Sequence, residues 1–369
     1  MQKPVYIKRK SIHEAYIRSA GQTRKMKKHE IRLSISKSRD IKFEEEIAVY
    51  KLTTDEILNK IDFVRYFELS NQSLPENKNA ILNKLCSERI ITSSNEYYNI
   101  TNLGAILFAK NLGDFEKLVR KAMRVVIYDG DNRLKTIKEQ QGTKGYANGF
   151  EGIVKYINDQ LPTNEVIEQA LRKNVKVYPE IAVRELVANC IIHQDFDVIG
   201  AGPMIEIFSD RIEITNPGRP LINTLRFIDF PPQSRNEILA SFMRRLNICE
   251  ERGSGIDKVI TWVEVFQLPA PDFKVMENNL KAILYAPKSL SKMDKEDRIR
   301  ACYQHCCLKH VSGSEKMSNS SLRKRFNISK SNYPMASRII ADTMEAEFIK
   351  LADPKSKSKK YAFYVPFWA

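Results

Sequence analysis

Residues 184–195 read RELVANCIIHQD, and this stretch decides how the rest of the chain is interpreted. A spacing of four places Glu185, Asn189 and His193 on one stripe of a helix, and the apolar residues between them predict a buried opposite side. A carboxylate and a carboxamide one turn apart suit two linked tasks. The Asn oxygen can ligate Mg²⁺, and the Glu can orient or deprotonate a water that attacks a phosphate. A helix whose polar face merely meets solvent explains the same pattern, so the stretch alone leaves both interpretations open.

Two later motifs favour a binding site. A predicted hairpin at 203–215 runs into the turn TNPG at 215–218, where Gly218 lets the backbone approach a flat ligand. RGSGI at 252–256 precedes a helical pattern, and a Gly-rich turn at a helix N-terminus offers N–H groups and a positive dipole end to a phosphate. The glycines alone are a weak signal, but their order after the Glu/Asn helix makes it more specific. His193 either contacts phosphate or caps its helix.

The composition is that of a globular protein with a basic excess. The 369 residues include 60 Lys and Arg against 45 Asp and Glu, a net charge of +15, and 43% are hydrophobic, so wholesale disorder is excluded. No apolar run approaches the roughly 18 residues that span a bilayer, and residues 1–4 open no signal peptide. The six cysteines do not form a disulfide framework, so we expect a cytoplasmic protein with reduced thiols and no membrane contact.

The positive charge is concentrated at the two ends. Residues 1–40 hold 12 Lys and Arg against 3 Asp and Glu, and residues 289–369 hold 16 against 8, which leaves −2 for the residues between. Two basic terminal segments predict two surfaces that face a polyanion, of which double-stranded DNA is the obvious one. Solvated basic tails are the alternative.

Mixed strands, helices and hairpins, rather than βαβ repeats, predict an α+β architecture. The central unit is expected to contain strands at 123–128 and 280–285 and the hairpin at 203–215. Its helices are predicted at about 149–161, 163–173, 179–193, 236–246 and 254–265. We divide the chain into four units and a linker at 289–292: 1–45, a helical or winged-helix-like spacer at 46–120, the largest unit at 121–288, and 293–369.

The last unit has the pattern of a winged helix. Helices are predicted at about 296–310, from near Ser320 and after Pro334, followed by a Lys-rich turn and a strand at 361–366. Such modules place one helix in a groove of DNA and a wing on the phosphates. The predicted DNA contacts are Arg323, Lys324, Arg325, Arg338, Lys355, Lys357, Lys359 and Lys360. Winged helices also mediate protein contacts, although the basic wing favours DNA.

Five potential metal ligands crowd one predicted helix: Cys302, His305, Cys306, Cys307 and His310. They cannot all converge on one tetrahedral metal, because positions 302, 306 and 310 share a stripe that 307 leaves. Free cysteine is usually a small buried apolar residue, so we expect core cysteines with surface histidines rather than a zinc site.

Residues from about 178 to 288 resemble the Bergerat, or GHKL, ATP-binding fold of gyrase, MutL and histidine kinases. A similar form occurs in bacterial proteins labelled RecG-like or divergent-AAA transcriptional regulators, which combine a Schlafen-type AlbA DNA-binding domain, this ATPase-like domain and a C-terminal winged helix. The matching motifs are Tyr178-Pro179, 185–195, 211–218, Ser234-Arg235-Asn236 and 252–256. Segments 4–7 and 15–18 resemble the last strands of the AlbA-type domain, so unit 1–45 is expected to be the end of that domain.

The resemblance implies ATP and Mg²⁺ as cofactors, with Glu185 as the water-orienting base and Asn189 as the Mg²⁺ ligand. The implied nucleotide contacts are Asn189, His193, Asn216, Gly218, Arg252, Gly253, Ser254 and Gly255, with 216–218 at the adenine and 253–255 at the phosphates. The sequence departs from the broader fold at the adenine turn, where Asn216 stands in place of an Asp. Segment 219–252 occupies the position of the mobile ATP lid, and its three prolines predict a stiffer segment.

The expected function is therefore an ATP-binding, DNA-binding transcriptional regulator in which nucleotide binding is the switch and Mg-dependent hydrolysis is weak or absent. One alternative is a catalytic ATPase or a serine kinase of the anti-sigma type, whose helix motif also reads Glu-x-x-x-Asn-x-x-x-His. Another is a nucleotide-free scaffold that dimerises, and a homodimer would also suit a DNA-binding regulator. A P-loop helicase is excluded, because no Gly-x-x-x-x-Gly-Lys-Ser/Thr loop occurs in the chain.

Overall fold

The structure, a computed structural model, describes residues 5–9, 12–19, 22–27, 42–168, 171–231, 233–249, 255–313, 315–354 and 362–369. Three antiparallel strands come first: β1 (Val5–Arg9), β2 (Ile12–Ser19) and β3 (Gln22–Lys25). The first two include the strands predicted near residues 5 and 15. Their interpretation as the end of an AlbA-type domain stays a prediction.

Residues 46–120 form a helical unit around a small sheet. Its elements are β4 (Ile47–Leu52), α1 (Thr54–Lys60), α2 (Phe63–Leu69), α3 (Lys78–Ser87), β5 (Ile91–Ser94), β6 (Tyr97–Thr101) and α4 (Asn102–Phe108). Strand β6 pairs with both β4 and β5. Helix α1 begins after Thr53 because Thr53 and Glu56 form a capping box. The winged-helix-like interpretation of this unit stays a prediction.

The central unit is built on a mixed sheet, which confirms the α+β class. Its elements are β7 (Arg124–Tyr128), β8 (Thr136–Gln141), α5 (Tyr146–Gln160), β9 (Thr163–Glu168), β10 (Leu171–Lys176), α6 (Glu180–Ile192), β11 (Met204–Ile207), β12 (Arg211–Pro217), α7 (Glu237–Arg245), α8 (Gly255–Val265), β13 (Asp272–Val275) and β14 (Asn279–Tyr285). Six of these strands form one sheet in the order β13-β14-β12-β11-β7-β8. Strands β7 and β11 are parallel, and the other neighbours are antiparallel.

The two faces of this sheet are covered differently. Helix α6 packs on β12 and contacts α5 and α8, so this face carries the helical layer. On the opposite face Glu206 lies across from Glu213, and both are buried. Arg133 and Lys281 pair with these carboxylates at 2.6 and 2.5 Å. Burial alone would raise the pKa of Glu213. Lys281 and Arg211 bond to its carboxylate and hold the pKa below its usual value.

The prediction of a helix at 163–173 is wrong. Strands β9 and β10 occupy this region and form an antiparallel hairpin in which Glu168 pairs with Leu171. The residues of this stretch are good helix formers, but helix propensity is a weak prior that strand pairing can override.

The C-terminal unit consists of α9 (Lys295–Val311), α10 (Asn319–Arg325), α11 (Tyr333–Glu345), β15 (Ile349–Leu351) and β16 (Tyr364–Pro366). Its helices lie where they were predicted, and β15 and β16 pair antiparallel. The winged-helix interpretation stays a prediction, as do the four unit boundaries. No helix in the described ranges has the length and apolar character that crossing a membrane requires.

Buried apolar residues divide the described chain into two clusters. One runs from Leu52 to Leu284, so units 46–120 and 121–288 share a core. The other belongs to the C-terminal unit but also takes in Ile228 and Ile260 of the central unit. The C-terminal unit is therefore packed against the central unit rather than joined to it only through residues 289–292.

Candidate functional site

A cleft of about 590 Å³ lies on the helical face of the central sheet. Its floor is formed by β12 and β14, and α6 and the start of α8 form one side. Residues between 219 and 249, including α7, contribute the opposite wall. The predicted lid segment is therefore described except for residues 232 and 250–252, and it lines the cleft.

The helical stripe predicted from RELVANCIIHQD lies along this cleft. Glu185, Asn189 and His193 all line it, and Glu185 is buried. His193 ends α6 as its C-cap residue, and its main-chain N–H donates to the carbonyl of Asn189 over 3.0 Å. His193 thus stands at the C-terminal end of α6 and lines the cleft, and the choice between capping and phosphate contact stays a prediction.

Gly255 brings the start of α8 against this stripe. A Cβ atom built on Gly255 would lie 3.0 Å from Oε2 of Glu185 and 3.6 Å from Nδ2 of Asn189. The start of α8 therefore lies beside a carboxylate and a carboxamide. A helix N-terminus can hold a phosphate, and these side-chain oxygens can ligate a hard cation. The other predicted residues of the Gly-rich turn, Arg252, Gly253 and Ser254, lie outside the described residues.

His193 is neutral at pH 7. Burial, assisted by the nearby positive charge of Arg235, lowers the pKa of its imidazole to about 4. The ring therefore brings a hydrogen-bonding group but no positive charge to the cleft.

Asn216 and Gly218 have different positions. Asn216 is buried at the cleft floor, and its Nδ2 donates to the carbonyls of His193 at 3.4 Å and Pro217 at 3.3 Å. Gly218 is not among the residues that line the cleft. Its φ is +102°, and a Cβ there would lie 2.6 Å from Cβ of Asp195. In this structure the glycine is required by that close approach.

The cleft contains arginine side chains that the sequence analysis did not assign. Arg219, Arg235 and Arg244 line it together with the acidic Glu185 and Glu237. The site therefore has a cationic excess although residues 41–288 as a whole are near neutral. Arg235 belongs to the Ser234-Arg235-Asn236 motif, and this motif could have identified it as a site residue. Arg219 and Arg244 belong to no motif.

Asn236 fixes this wall to the end of α6. Its Nδ2 donates to the carbonyls of Ile192 and Gln194, each at 2.8 Å. Arg235 is held nearby, because its Nη2 donates to the carbonyl of Arg219 at 3.1 Å. The motif thus combines an arginine that lines the cleft with a buried asparagine that holds the wall in place.

Three aromatic side chains contribute to the apolar lining of the cleft. Phe227, Phe230 and Phe273 line it, and the rings of Phe227 and Phe273 meet edge to face with centroids 5.2 Å apart. A flat heterocycle can stack on such rings, while the arginines and the α8 terminus can hold anionic groups.

The predicted DNA contacts are only partly at the surface. Lys324 and Arg338 are exposed, and Arg323 is half-buried with its Nε donating to Asn319 at 3.1 Å. The prediction that Arg325 contacts DNA is wrong, because Arg325 is buried. Its Nη2 donates to the carbonyl of Leu268 at 2.7 Å, and it pairs with Glu264 at 3.3 Å. It therefore holds the C-terminal unit to the central unit. Lys355, Lys357, Lys359 and Lys360 lie outside the described residues.

The cysteine-rich helix α9 has no zinc site among the described residues, where no group of three or more His, Cys, Asp or Glu side chains could hold a metal. Cys302, Cys306 and Cys307 are buried, and burial raises the pKa of each thiol. His310 is exposed as expected, but the prediction that His305 lies at the surface is wrong. It is buried with Nδ1 at 3.0 Å from Glu264, a partner 41 residues away.

A protein-family model described as "Putative ATP-dependent DNA helicase recG C-terminal" matches residues 200–284. This range contains β11, β12, the cleft wall and α8. The match supports an ATPase-type, RecG-like domain in the central unit. A search of curated protein sequences gives no match to this chain.

The crystal structure of the DIP2311 protein from Corynebacterium diphtheriae is similar to this chain, with a TM-score of 0.54 and 16% sequence identity. The similarity covers 91% of this chain and 66% of that one, so this chain spans about two thirds of the solved protein's length. At this identity the likeness concerns the fold alone.

The cleft fits a Mg·nucleotide. A Cβ on Gly255 would lie 3.0 Å from Oε2 of Glu185 and 4.0 Å from Oδ1 of Asn189, so two oxygens that can ligate Mg²⁺ lie beside the start of α8. Mg²⁺ commonly takes one or two protein oxygens and completes its shell with water and phosphate oxygens. The described part of the cleft supplies that small set and no dedicated cage of carboxylates.

Proposed function

We propose that this protein binds Mg·ATP in the cleft and DNA through its basic terminal units, and that nucleotide binding regulates the DNA-bound state. The observation that carries the nucleotide site is the position of Gly255, which brings the α8 N-terminus to within contact distance of Glu185 and Asn189. The family match to an ATPase-type domain supports the same assignment.

Each part of the ligand has a matching group. Oδ1 of Asn189 is the proposed Mg²⁺ ligand, and Glu185 is placed to orient a water at the terminal phosphate. The bound cation would neutralise phosphate charge. Arg235 lies on the far wall as a further phosphate partner.

The base is assigned to the apolar end of the cleft, against Phe227 and Phe230. Asn216 is buried at the floor of the same cleft, and its amide nitrogen already faces the carbonyls of His193 and Pro217. Its Oδ1 is therefore the atom available to accept from the exocyclic amine of adenine, the task that an Asp performs in the broader fold. The Asn in this turn is thus compatible with adenine recognition.

Nucleotide titration tests the site. Calorimetry with ATP and Mg²⁺ should give saturable binding to the wild type, and Asn189→Ala should lose about tenfold or more in affinity, or about 1.4 kcal/mol. Glu180→Ala, in the first turn of the same helix and exposed, is the matched control and should bind as the wild type does. A wild type without ATP affinity would favour the nucleotide-free scaffold and refute this assignment.

Hydrolysis is a second candidate, because Glu185 is buried beside Asn189 as a catalytic base would be. Phosphate release measured on the wild type and on Glu185→Gln separates the two functions. A binding switch predicts little release from either protein. If the wild type releases phosphate and Glu185→Gln binds ATP normally without releasing it, the protein is an ATPase or transfers the phosphate.

The DNA-binding part of the proposal rests on the charge of the terminal units and on the exposed Lys324 and Arg338. Affinity for duplex DNA should fall steeply with salt. Neutralising Lys355, Lys357, Lys359 and Lys360 together should make that salt dependence shallower. An unchanged slope would exclude the lysine-rich turn from the interface.

A further inference from the structure

Residues 223–230, which we term the wall segment, face two parts of the molecule at once. Phe227 and Phe230 line the nucleotide cleft. Between and before them, Leu225, Arg226 and Ile228 contact or pack with the C-terminal unit. The segment therefore separates the candidate nucleotide from the proposed DNA-binding unit by the thickness of one chain.

A short relay of polar contacts joins the wall segment to the chain's last residues. Nε1 of Trp368 donates to the hydroxyl of Tyr303 at 3.2 Å. The same hydroxyl donates to the carbonyl of Leu225 at 2.5 Å. Tyr303 belongs to α9, so helix α9 and the C-terminus hold the start of the wall segment together.

Arg226 makes the second connection. Its guanidinium carbon lies 4.8 Å from the ring centroid of Trp368 and 5.4 Å from that of Phe230, and it also pairs with Asp229. One cation thus contacts a ring of the C-terminal unit and a ring that lines the cleft. A displacement of Trp368 would move Arg226 and thereby change the position of the Phe230 ring.

The C-terminal unit gives the wall segment a firm support because it is anchored elsewhere on the central unit. Gln304 donates to the carbonyl of Pro271 at 2.8 Å, and Arg300 donates to that of Ala270 at 3.1 Å. Arg325 adds its buried bond to Leu268. Ile228 is buried in the apolar cluster of the C-terminal unit.

We propose that Trp368 is a positioning residue for the nucleotide cleft: the C-terminal unit sets the position of Phe227 and Phe230 through Tyr303, Arg226 and Trp368. This inference rests on the proposed nucleotide site. Because coupling between two sites is reciprocal, a nucleotide that moves the wall segment must also change the environment of Trp368. The penultimate residue of the chain would then report what occupies the cleft.

The chain offers a direct probe, since Trp262 and Trp368 are its two tryptophans. Trp262 lies on α8 and is 39% exposed, so Trp262→Phe leaves Trp368 as the single indole. Addition of ATP and Mg²⁺ to this variant should shift the emission of Trp368. The same addition to Trp262→Phe with Asn189→Ala, at a nucleotide concentration that saturates only the parent, should leave the emission unchanged.

Binding measurements on variants complete the test. Trp368→Leu should weaken ATP binding about fivefold, equivalent to about 1 kcal/mol, because it removes the cation–π contact and the support of Tyr303. Trp368→Phe keeps an aromatic face for Arg226 and should recover part of that affinity. Phe363→Leu, an exposed aromatic of the same unit that does not line the cleft, is the control. Melting temperatures of all variants identify any that fail to fold.

The outcomes are distinguishable. If the wild type binds ATP while Trp368→Leu stays folded with the same affinity and the Trp368 emission does not respond, this inference is overturned and the nucleotide site stands. If the wild type itself binds no ATP, both proposals are overturned. A lower melting temperature of Trp368→Leu with unchanged ATP affinity also counts against a positioning role, because it shows ordinary packing.

Discussion

The main-chain N–H of Leu239 donates a 2.5 Å hydrogen bond to Oε1 of Glu44, a residue 195 positions earlier in the chain. Leu239 lies in the first turn of α7, so the buried carboxylate satisfies a donor that the helix itself cannot satisfy. Its neighbours strengthen the contact, because Lys42 pairs with Glu237 at 2.6 Å and Phe43 stacks on Phe196 with centroids 4.5 Å apart. The cleft wall is thus held from the N-terminal side as well as from the C-terminal unit.

Replacing Glu44 tests this contact. Glu44→Ala leaves the α7 terminus without its side-chain acceptor and should lower the free energy of unfolding by about 1–2 kcal/mol in urea titrations. Glu45→Ala removes an exposed carboxylate that pairs only at the surface with Arg89, and it should cost less than about 0.5 kcal/mol. Equal effects of the two changes would contradict a capping role.

Gly255→Ala tests the close approach at the α8 terminus. The added methyl would press on Oε2 of Glu185 at 3.0 Å and on Asn189, so ATP affinity should fall about tenfold by calorimetry with the fold retained. Gly152→Ala is the control, because its Cβ meets nothing within 4 Å in the exposed part of α5. That change should leave ATP binding unaltered and stabilise the helix by about 0.5–1 kcal/mol.

The neutral state of His193 predicts a pH dependence of stability. The pKa of the imidazole is about 4 in the folded chain and near 6.5 when unfolded. Between these values the unfolded chain binds the proton and the folded chain does not, so this group destabilises the protein as pH falls from about 6.5 towards about 4. His193→Gln should therefore lose less stability than the wild type between about pH 7 and about pH 5 in urea titrations. An equal loss of stability in His193→Gln and the wild type over this range would contradict a neutral His193.

Arg325 and Lys324 are adjacent in sequence but should respond oppositely to the same replacement. Arg325→Met removes the buried guanidinium that pairs with the half-buried Glu264 and bonds the carbonyl of Leu268, so it should cost about 1–3 kcal/mol, seen as a fall in melting temperature. Lys324→Met should leave the melting temperature nearly unchanged and weaken DNA binding. A DNA defect in Arg325→Met that persists where the variant is fully folded would show that our assignment of Arg325 is wrong.

The predictable parts of the site are those that depend on patterns among neighbouring residues. The stripe of Glu185, Asn189 and His193 follows from helical periodicity, and the bounds of α6 differ from the prediction by one residue at each end. The start of α8 was predictable for the same reason, since a Gly-rich turn precedes an apolar repeat. Gly218 was recognised as a required glycine, and the structure places Asp195 and Arg235 against it.

Two of the missed strands, β8 and β13, lie at the edges of the central sheet. All six residues of β8 are exposed, so Thr136–Gln141 shows none of the apolar alternation by which a half-buried strand is recognised. Strand β13 lies at the other edge and has no buried residue. An edge strand is paired on one side only, and its sequence is correspondingly less constrained.

Contacts between distant segments could not be predicted from one sequence. His305 and Arg325 were assigned to the surface because their shared partner, Glu264, lies on a different helix of another unit. Arg219 and Arg244 are brought to the cleft by the path of the wall, which no local pattern encodes. Burial of a charged side chain depends on such partners rather than on the residue type alone.

The anchoring of Lys42, Phe43 and Glu44 has a practical consequence for dividing the chain. A fragment that begins at residue 46, where the second unit was predicted to begin, would lose the aromatic stack on Phe196 and leave the first turn of α7 uncapped. A fragment that begins at residue 42 keeps both contacts while removing the first basic segment. The fragment that begins at residue 42 is therefore suited to testing whether residues 1–41 bind DNA. It keeps the contacts that hold the wall of the nucleotide cleft.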